Sequence, residues 1–242
     1  LSSYMAQYDA RCLGLPLSQM HSIGYPRNDA ILNQSVDFKS VFNCQDADNI
    51  IYWLPTFRQH KANGQVHSNI AMPILHNEKI AMQVNDCARK CKVLIVVKPH
   101  PSQDISKIKQ MNLSNLRFID TAYLTELNLN NYTLLGSSDA LLTDYSSVYY
   151  DYLLANKPIG LCWEDFDEYK RLEGFAVDTD RLMAGGEKIY SADDLQTFIQ
   201  HIAEGEDILN QERNAICDLV HDFKDNQSAK RTVDFIEKSC FN

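Results

Sequence analysis

The feature that most restricts the fold of this chain is an alternation through its middle. Short, nearly all-apolar runs at residues 50–54, 92–97, 116–119, 140–143 and 159–162 are separated by longer amphipathic stretches. Apolar runs of that length predict strands covered on both faces, and the stretches between them predict crossover helices. Helical patterns fall near 76–89, 105–111, 131–135 and 146–155, and a late strand is expected at 188–190. Ser191 followed by Ala192-Asp193-Asp194-Leu195 combines an N-cap hydroxyl with first-turn acids, predicting a helix through 195–203. Two more helices are expected near 207–223 and 228–240. Together these predict an α/β fold, a doubly wound parallel sheet of Rossmann-like type.

The first 45 residues read differently. Residues 1–14 and 29–44 look helical, on either side of Ile23-Gly24-Tyr25-Pro26-Arg27-Asn28-Asp29. Pro26 favours an extended residue before it, and Asn28 or Asp29 can cap the helix that follows. The expected division is residues 1–45 as a helical segment and hinge from the end of a preceding domain, and 46–242 as the Rossmann-like domain. The chain opens on Leu rather than Met, so it is expected to be a piece of a longer protein. Asn63-Gly64, within 58–68, marks a polar loop long enough to serve as a flap.

A formal net charge of -9 argues against a polyanion binder and therefore against a nucleic-acid partner. A small anion needs only a few local donors and stays open. Seven cysteines, an odd number set in apolar patterns, suggest buried thiols in a reducing compartment, hence a cytoplasmic chain. Cys87 and Cys91 lie four apart, but no second Cys or His pair completes a site, so no metal is expected. No apolar run is long enough to span a bilayer, and no signal peptide opens the chain. The Gly-x-Gly-x-x-Gly, Walker-type and Gly-x-Ser-x-Gly patterns do not occur, which disfavours dinucleotide dehydrogenases, P-loop enzymes and serine hydrolases.

Three strand ends carry chemistry. Thr143-Asp144-Tyr145-Ser146-Ser147 runs from an apolar strand into a helix start, where open α/β sheets bind anions. Taken alone, it reads first as a capped helix that binds nothing. Lys98-Pro99-His100-Pro101 follows another strand, and its prolines stiffen the loop and aim His100. That loop is as readily an exposed basic turn as a site; beside a phosphate, His100 would favour its charged form and serve as donor or acid. Thr56 and Arg58 follow the first strand, and Arg suits bidentate phosphate contact, although a lone Arg is more often a surface residue. Three such clusters at one sheet edge favour an anion site over their separate readings. Asp151 reads as structural, and the segment 163–169 as a solvated helix start. His21, His60, His67, His76, His201 and His221 have no partner at recognisable spacing, with His60 notable only as a neighbour of Arg58.

In order along the chain, Gly24-Tyr25-Pro26-Arg27-Asn28-Asp29, Leu54-Pro55-Thr56-Phe57-Arg58, Lys98-Pro99-His100-Pro101 and Asp139-Ala140-Leu141-Leu142-Thr143-Asp144-Tyr145-Ser146-Ser147 resemble the CDP-glycerol glycerophosphotransferase family. That family includes teichoic acid primases and polymerases and similar domains of capsule polymer synthesis. Asp151, Lys157-Pro158, Asp165, Tyr169 and Glu173-Gly174-Phe175 look like its continuation, with Glu173 where Arg is typical. The segment 223–231 is similar to its closing motif, with Asn226 where Gly is usual. The similarity runs over roughly residues 4–236.

The resemblance implies one half of a GT-B architecture, namely the C-terminal, nucleotide-donor-binding domain. It implies transfer of glycerol phosphate from CDP-glycerol, or a related CDP-activated donor, to a polymer or lipid-linked acceptor hydroxyl, with release of CMP and no cofactor. His100 is then the expected catalytic residue, with Arg27, Thr56, Arg58, Lys98, Thr143, Asp144, Ser146 and Ser147 as substrate-binding residues. The segment 120–124 is a candidate for the cytosine pocket. A second histidine, acting as base, would come from the other half of the cleft, so this piece alone is expected to be inactive. Location at the inner face of the bacterial membrane would depend on parts outside the chain. The alternatives are a CDP-ribitol or nucleotide-sugar transferase and a non-catalytic nucleotide-binding module.

Overall fold

The computed structural model describes residues 2–33, 36–56, 61–62, 65–66, 72–101, 103 and 105–240. Its main sheet has six parallel strands: β1 (Asn49–Trp53), β2 (Val93–Val97), β3 (Leu116–Phe118), β4 (Ala140–Thr143), β5 (Ile159–Cys162) and β6 (Glu187–Ile189). The first five lie at the five apolar runs and the sixth at the late strand expected near 188–190, displaced by a residue at some ends. Their spatial order is β3-β2-β1-β4-β5-β6, the doubly wound order in which the chain reverses direction between β1 and β4. Side chains alternate faces along each strand: Ile50 and Tyr52 pack in one core cluster, Ile51 and Trp53 in the other. Both faces are covered, which is why these strands carry no polar alternation.

One face is covered by the long helices α4 (Glu78–Lys90) and α11 (Ala192–Glu204) and by the short α5 (Ser106–Lys109). Ser191 caps α11 as predicted, its Oγ accepting from the Asp194 N–H at 3.2 Å. The opposite face carries α6 (Thr121–Glu126), α7 (Asn131–Ser137), α8 (Val148–Tyr152) and α12 (Asn210–Val220). The expected helix at 146–155 is shorter than its pattern: α8 is continued only by the 3-10 turn Leu153–Ala155. Phe166–Leu172 (α9), Thr179–Leu182 (α10) and the closing α13 (Ser228–Cys240) are the other α-helices described after β1.

Before β1, α1 (Ser3–Leu13), α2 (Asp29–Asn33) and α3 (Phe38–Val41) replace the two helical stretches expected there. Met5, Ile31, Phe38 and Phe42 join the core on the α7/α8 face. The α2–α7 crossing is close, since a Cβ added to Gly136 would lie 2.3 Å from the Ile31 carbonyl oxygen. Much of the expected 58–68 flap, including Arg58 and His60, lies outside the described residues. Within it, Lys61–Ala62 pairs antiparallel with Gln65–Val66.

Candidate functional site

The reversal between β1 and β4 sets two strand ends side by side, and their loops are stitched together. Thr143, the last residue of β4, is buried and its hydroxyl donates to the Leu54 carbonyl at 2.8 Å. The next residue, Asp144, is also buried. Its Oδ2 accepts from the Thr56 N–H at 2.8 Å, and its Oδ1 accepts from the Thr56 hydroxyl and from the Tyr145 N–H at 2.7 Å. A buried carboxyl group requires such donors, and here the donors come from both loops. Thr56 and Asp144, bonded to each other, and Thr143, bonded to the Leu54 carbonyl, therefore hold the crevice in shape.

The other expected residues in the described structure gather around a cavity of about 260 Å³ at this crevice, lined by Arg27, Lys98, His100, Ser146 and Ser147 among others. The backbone N–H of Lys98 donates to the Trp53 carbonyl at 2.9 Å, which extends the β1–β2 ladder and fixes the start of the loop. Its ammonium is half-buried, and burial pulls its pKa below the usual lysine range, with Asp120 acting in the opposite sense. The His100 carbonyl accepts from the Gln103 N–H at 2.9 Å, closing a turn that leaves the His100 side chain exposed between Pro99 and Pro101. At the start of α8, Ser146 Oγ accepts from the Val148 N–H at 3.3 Å. Ser147 takes the N-cap place without a side-chain cap bond.

Arg27 reaches the cavity from the 3-10 turn Pro26–Asn28. Its Nη2 donates to Asp151 Oδ2 at 3.0 Å and Oδ1 at 3.3 Å, and the guanidinium lies over the Tyr25 and Tyr132 rings at 4.5 and 5.6 Å. Asp151, on α8, is only 1% exposed. Burial pushes its carboxyl above the usual carboxylate range, opposed chiefly by the Arg27 charge. The Tyr132 hydroxyl also donates to Asp151, at 3.3 Å, and burial lifts the Tyr132 phenol to about 12. The first segment, α7 and α8 thus meet on one carboxyl. Asp151 holds a long-range ion pair, where the sequence suggested a local structural role. No local signal announces a partner 124 residues away.

Behind the crevice, the Tyr145 hydroxyl donates to Asp165 Oδ1 at 2.7 Å, and its ring stacks on Tyr169 at 4.2 Å. Trp163, Phe166 and Phe175 complete this aromatic cluster, which buttresses the Asp144–Ser147 loop. The segment 120–124 is the start of α6, where Asp120 caps by accepting from the Tyr123 N–H at 2.8 Å. Asp120 and Tyr123 border a different cavity, of about 520 Å³, beside the edge strand β3. Tertiary contact supplies partners to histidines that lacked them in sequence: His76 meets Glu164 at 2.8 Å and His201 meets Glu187 at 2.9 Å. Among the described residues, no group of three or more His, Cys, Asp or Glu is placed to hold a metal ion.

A family model described as CDP-glycerol:poly(glycerophosphate) glycerophosphotransferase matches residues 1–238. The chain is 24% identical to a teichoic acid glycerol-phosphate primase of Bacillus subtilis, over 98% of this chain and 56% of the primase. It is 25% identical to a teichoic acid poly(ribitol-phosphate) polymerase of Bacillus spizizenii, over 73% of this chain and 28% of the polymerase. The chain thus spans about half or less of these relatives' lengths. A solved structure of the wall teichoic acid polymerase TagF superposes with a TM-score of 0.68 at 21% identity, covering 97% of this chain and 56% of that one. This likeness extends the doubly wound fold to a relative of known structure.

Proposed function

The chain belongs to the CDP-glycerol:poly(glycerophosphate) glycerophosphotransferase family, and from that premise we propose that it is the donor-binding half of a transferase that moves glycerol phosphate from CDP-glycerol to an acceptor hydroxyl. One observation carries this reading: Arg27, Lys98, His100, Ser146 and Ser147, scattered over three segments, line one cavity at the strand reversal. Ligands of open α/β sheets bind there. The cations and hydroxyls hold the pyrophosphate, with Arg58 expected to join them. The acceptor oxygen forms a bond to the phosphorus that carries glycerol. The bond from that phosphorus to the bridging oxygen breaks, and CMP leaves with the electron pair. His100 donates to the leaving phosphate, while Arg27 and Lys98 offset its charge, a task that positioned cations perform without covalent chemistry.

The proton of the acceptor goes to a base outside the described crevice, in the second half of a GT-B cleft, so the 242 residues alone are expected to bind donor without turning it over. Residues 1–45 would then serve as the helical hinge and 46–242 as the donor domain. Among the described residues, no helix is long and apolar enough to cross a membrane. A polymer or lipid-linked acceptor at the inner membrane face would be reached through other parts of the protein. CDP-ribitol is the second reading, supported by the relative named for poly(ribitol-phosphate). Calorimetric titration with CDP-glycerol, CDP-ribitol and UDP-sugars separates these donors. Heat with CDP-glycerol is expected, and silence with every CDP ligand overturns the proposal.

A further inference from the structure

Asn131 opens α7 and lines the same cavity as Arg27, Lys98, His100 and Ser146. The oxygen end of its amide is already committed, since the Tyr52 hydroxyl donates to Asn131 Oδ1 at 2.8 Å. Tyr52 lies within β1 and is fully buried. A buried phenol has one proton to donate and requires an acceptor for it. If the amide turned over, that proton would face an NH2 group and go unpaired. The sheet therefore sets the orientation of the Asn131 amide from beneath, and Nδ2 must lie on the side away from Tyr52. Nδ2 makes no hydrogen bond among the described residues, and it is not one of the buried polar atoms left without a partner, so it is open to solvent at the cavity wall.

We infer that Asn131 is a donor-site residue whose Nδ2 donates to a phosphate oxygen of the CDP-activated substrate, and that Tyr52 is the positioning residue that aims it. The inference rests on the donor reading given above. Arg27 and Lys98 in the same cavity draw the anionic part of the ligand to this wall. An amide that can only donate in this direction selects oxygen acceptors there without adding charge. Asn131 is thus distinct from the cations: it acts by direction, which the buried phenol supplies.

The test uses the full-length protein and calorimetric titration with CDP-glycerol. Asn131→Asp keeps an acceptor for Tyr52 but replaces the donor with a negative oxygen, and is expected to weaken binding by about tenfold or more. Asn131→Ala is expected to weaken it by roughly threefold to tenfold. Tyr52→Phe, which touches no ligand, is expected to cost about threefold in the native background and nothing further beside Asn131→Ala, the signature of a coupled pair. A Tyr52→Phe loss that is equal in both backgrounds would overturn the positioning role. Asn131→Asp binding within twofold of the native protein overturns the Asn131 contact while leaving the donor reading intact. If the native protein binds no CDP-glycerol, the donor reading fails and this inference fails with it. Circular dichroism checks each fold; should Asn131→Asp not fold, the alanine and phenylalanine arms decide.

Discussion

Two cavities of the molecule differ in a way that size does not capture. The one beside edge strand β3, about 520 Å³, is twice as large as the one at the β1/β4 reversal, about 260 Å³. Yet the charged groups of the larger cavity are engaged in holding the protein together. Arg117 donates to the Phe42 and Ser114 carbonyls, and Asp120 caps α6. At the reversal the division of labour is cleaner. Thr56 bonds to Asp144 and Thr143 to the Leu54 carbonyl, whereas the Lys98 ammonium and the Asn131 Nδ2 make no hydrogen bond among the described residues. What marks a binding cavity is donors left over once the scaffold is satisfied.

The largest effect is expected where the scaffold itself is cut. Asp144→Ala strands two backbone N–H groups and a hydroxyl, and should cost roughly 3 kcal/mol of stability in urea denaturation. A loss below about 1 kcal/mol would show that the stitching of the two loops is dispensable. His100→Ala should leave stability intact while lowering turnover of the full-length protein by about 100-fold, and unchanged turnover refutes a catalytic role. Arg27→Ala lies between scaffold and site. It should weaken CDP-glycerol binding and cost about 1–2 kcal/mol at neutral pH, less than a wholly buried pair because solvent screens Arg27. The Asp151 carboxyl is raised by burial, so its folded form holds a proton more readily than the unfolded chain does. Ionisation as pH rises through that raised value therefore costs stability, and Arg27 limits the cost. The Arg27→Ala deficit should accordingly shrink as pH falls through the raised carboxyl value, read from denaturation across pH. Arg117→Ala, in the larger cavity, should have the smallest effect on donor affinity, within about twofold by calorimetry. A greater change there would erase the distinction between the two cavities.

The strands were legible because burial on both faces leaves no polar alternation. The Ser191 cap was legible because a cap is local. Asp144 was only half legible: next to a helix start an Asp reads as a cap or ligand, whereas its carboxyl faces the β1 loop. That neighbour exists only through the topology, 88 residues away. The Arg27–Asp151 pair and the Tyr52–Asn131 bond were illegible for the same reason. The segment 120–124 showed no helical pattern because α6 is six residues long, too short to show a helical period.

The tight seat of Gly136 against the Ile31 carbonyl bears on how force would travel through this molecule. Most packed helices can yield a little, because side chains swivel between rotamers. A contact made of main chain on one side and a bare Cα on the other has no such slack. A displacement of α2 would therefore press on the main chain of α7, whose first two residues, Asn131 and Tyr132, stand at the cavity wall. A larger residue at 136 would have to part α2 from α7, and so shift the helix on which that cavity wall is built.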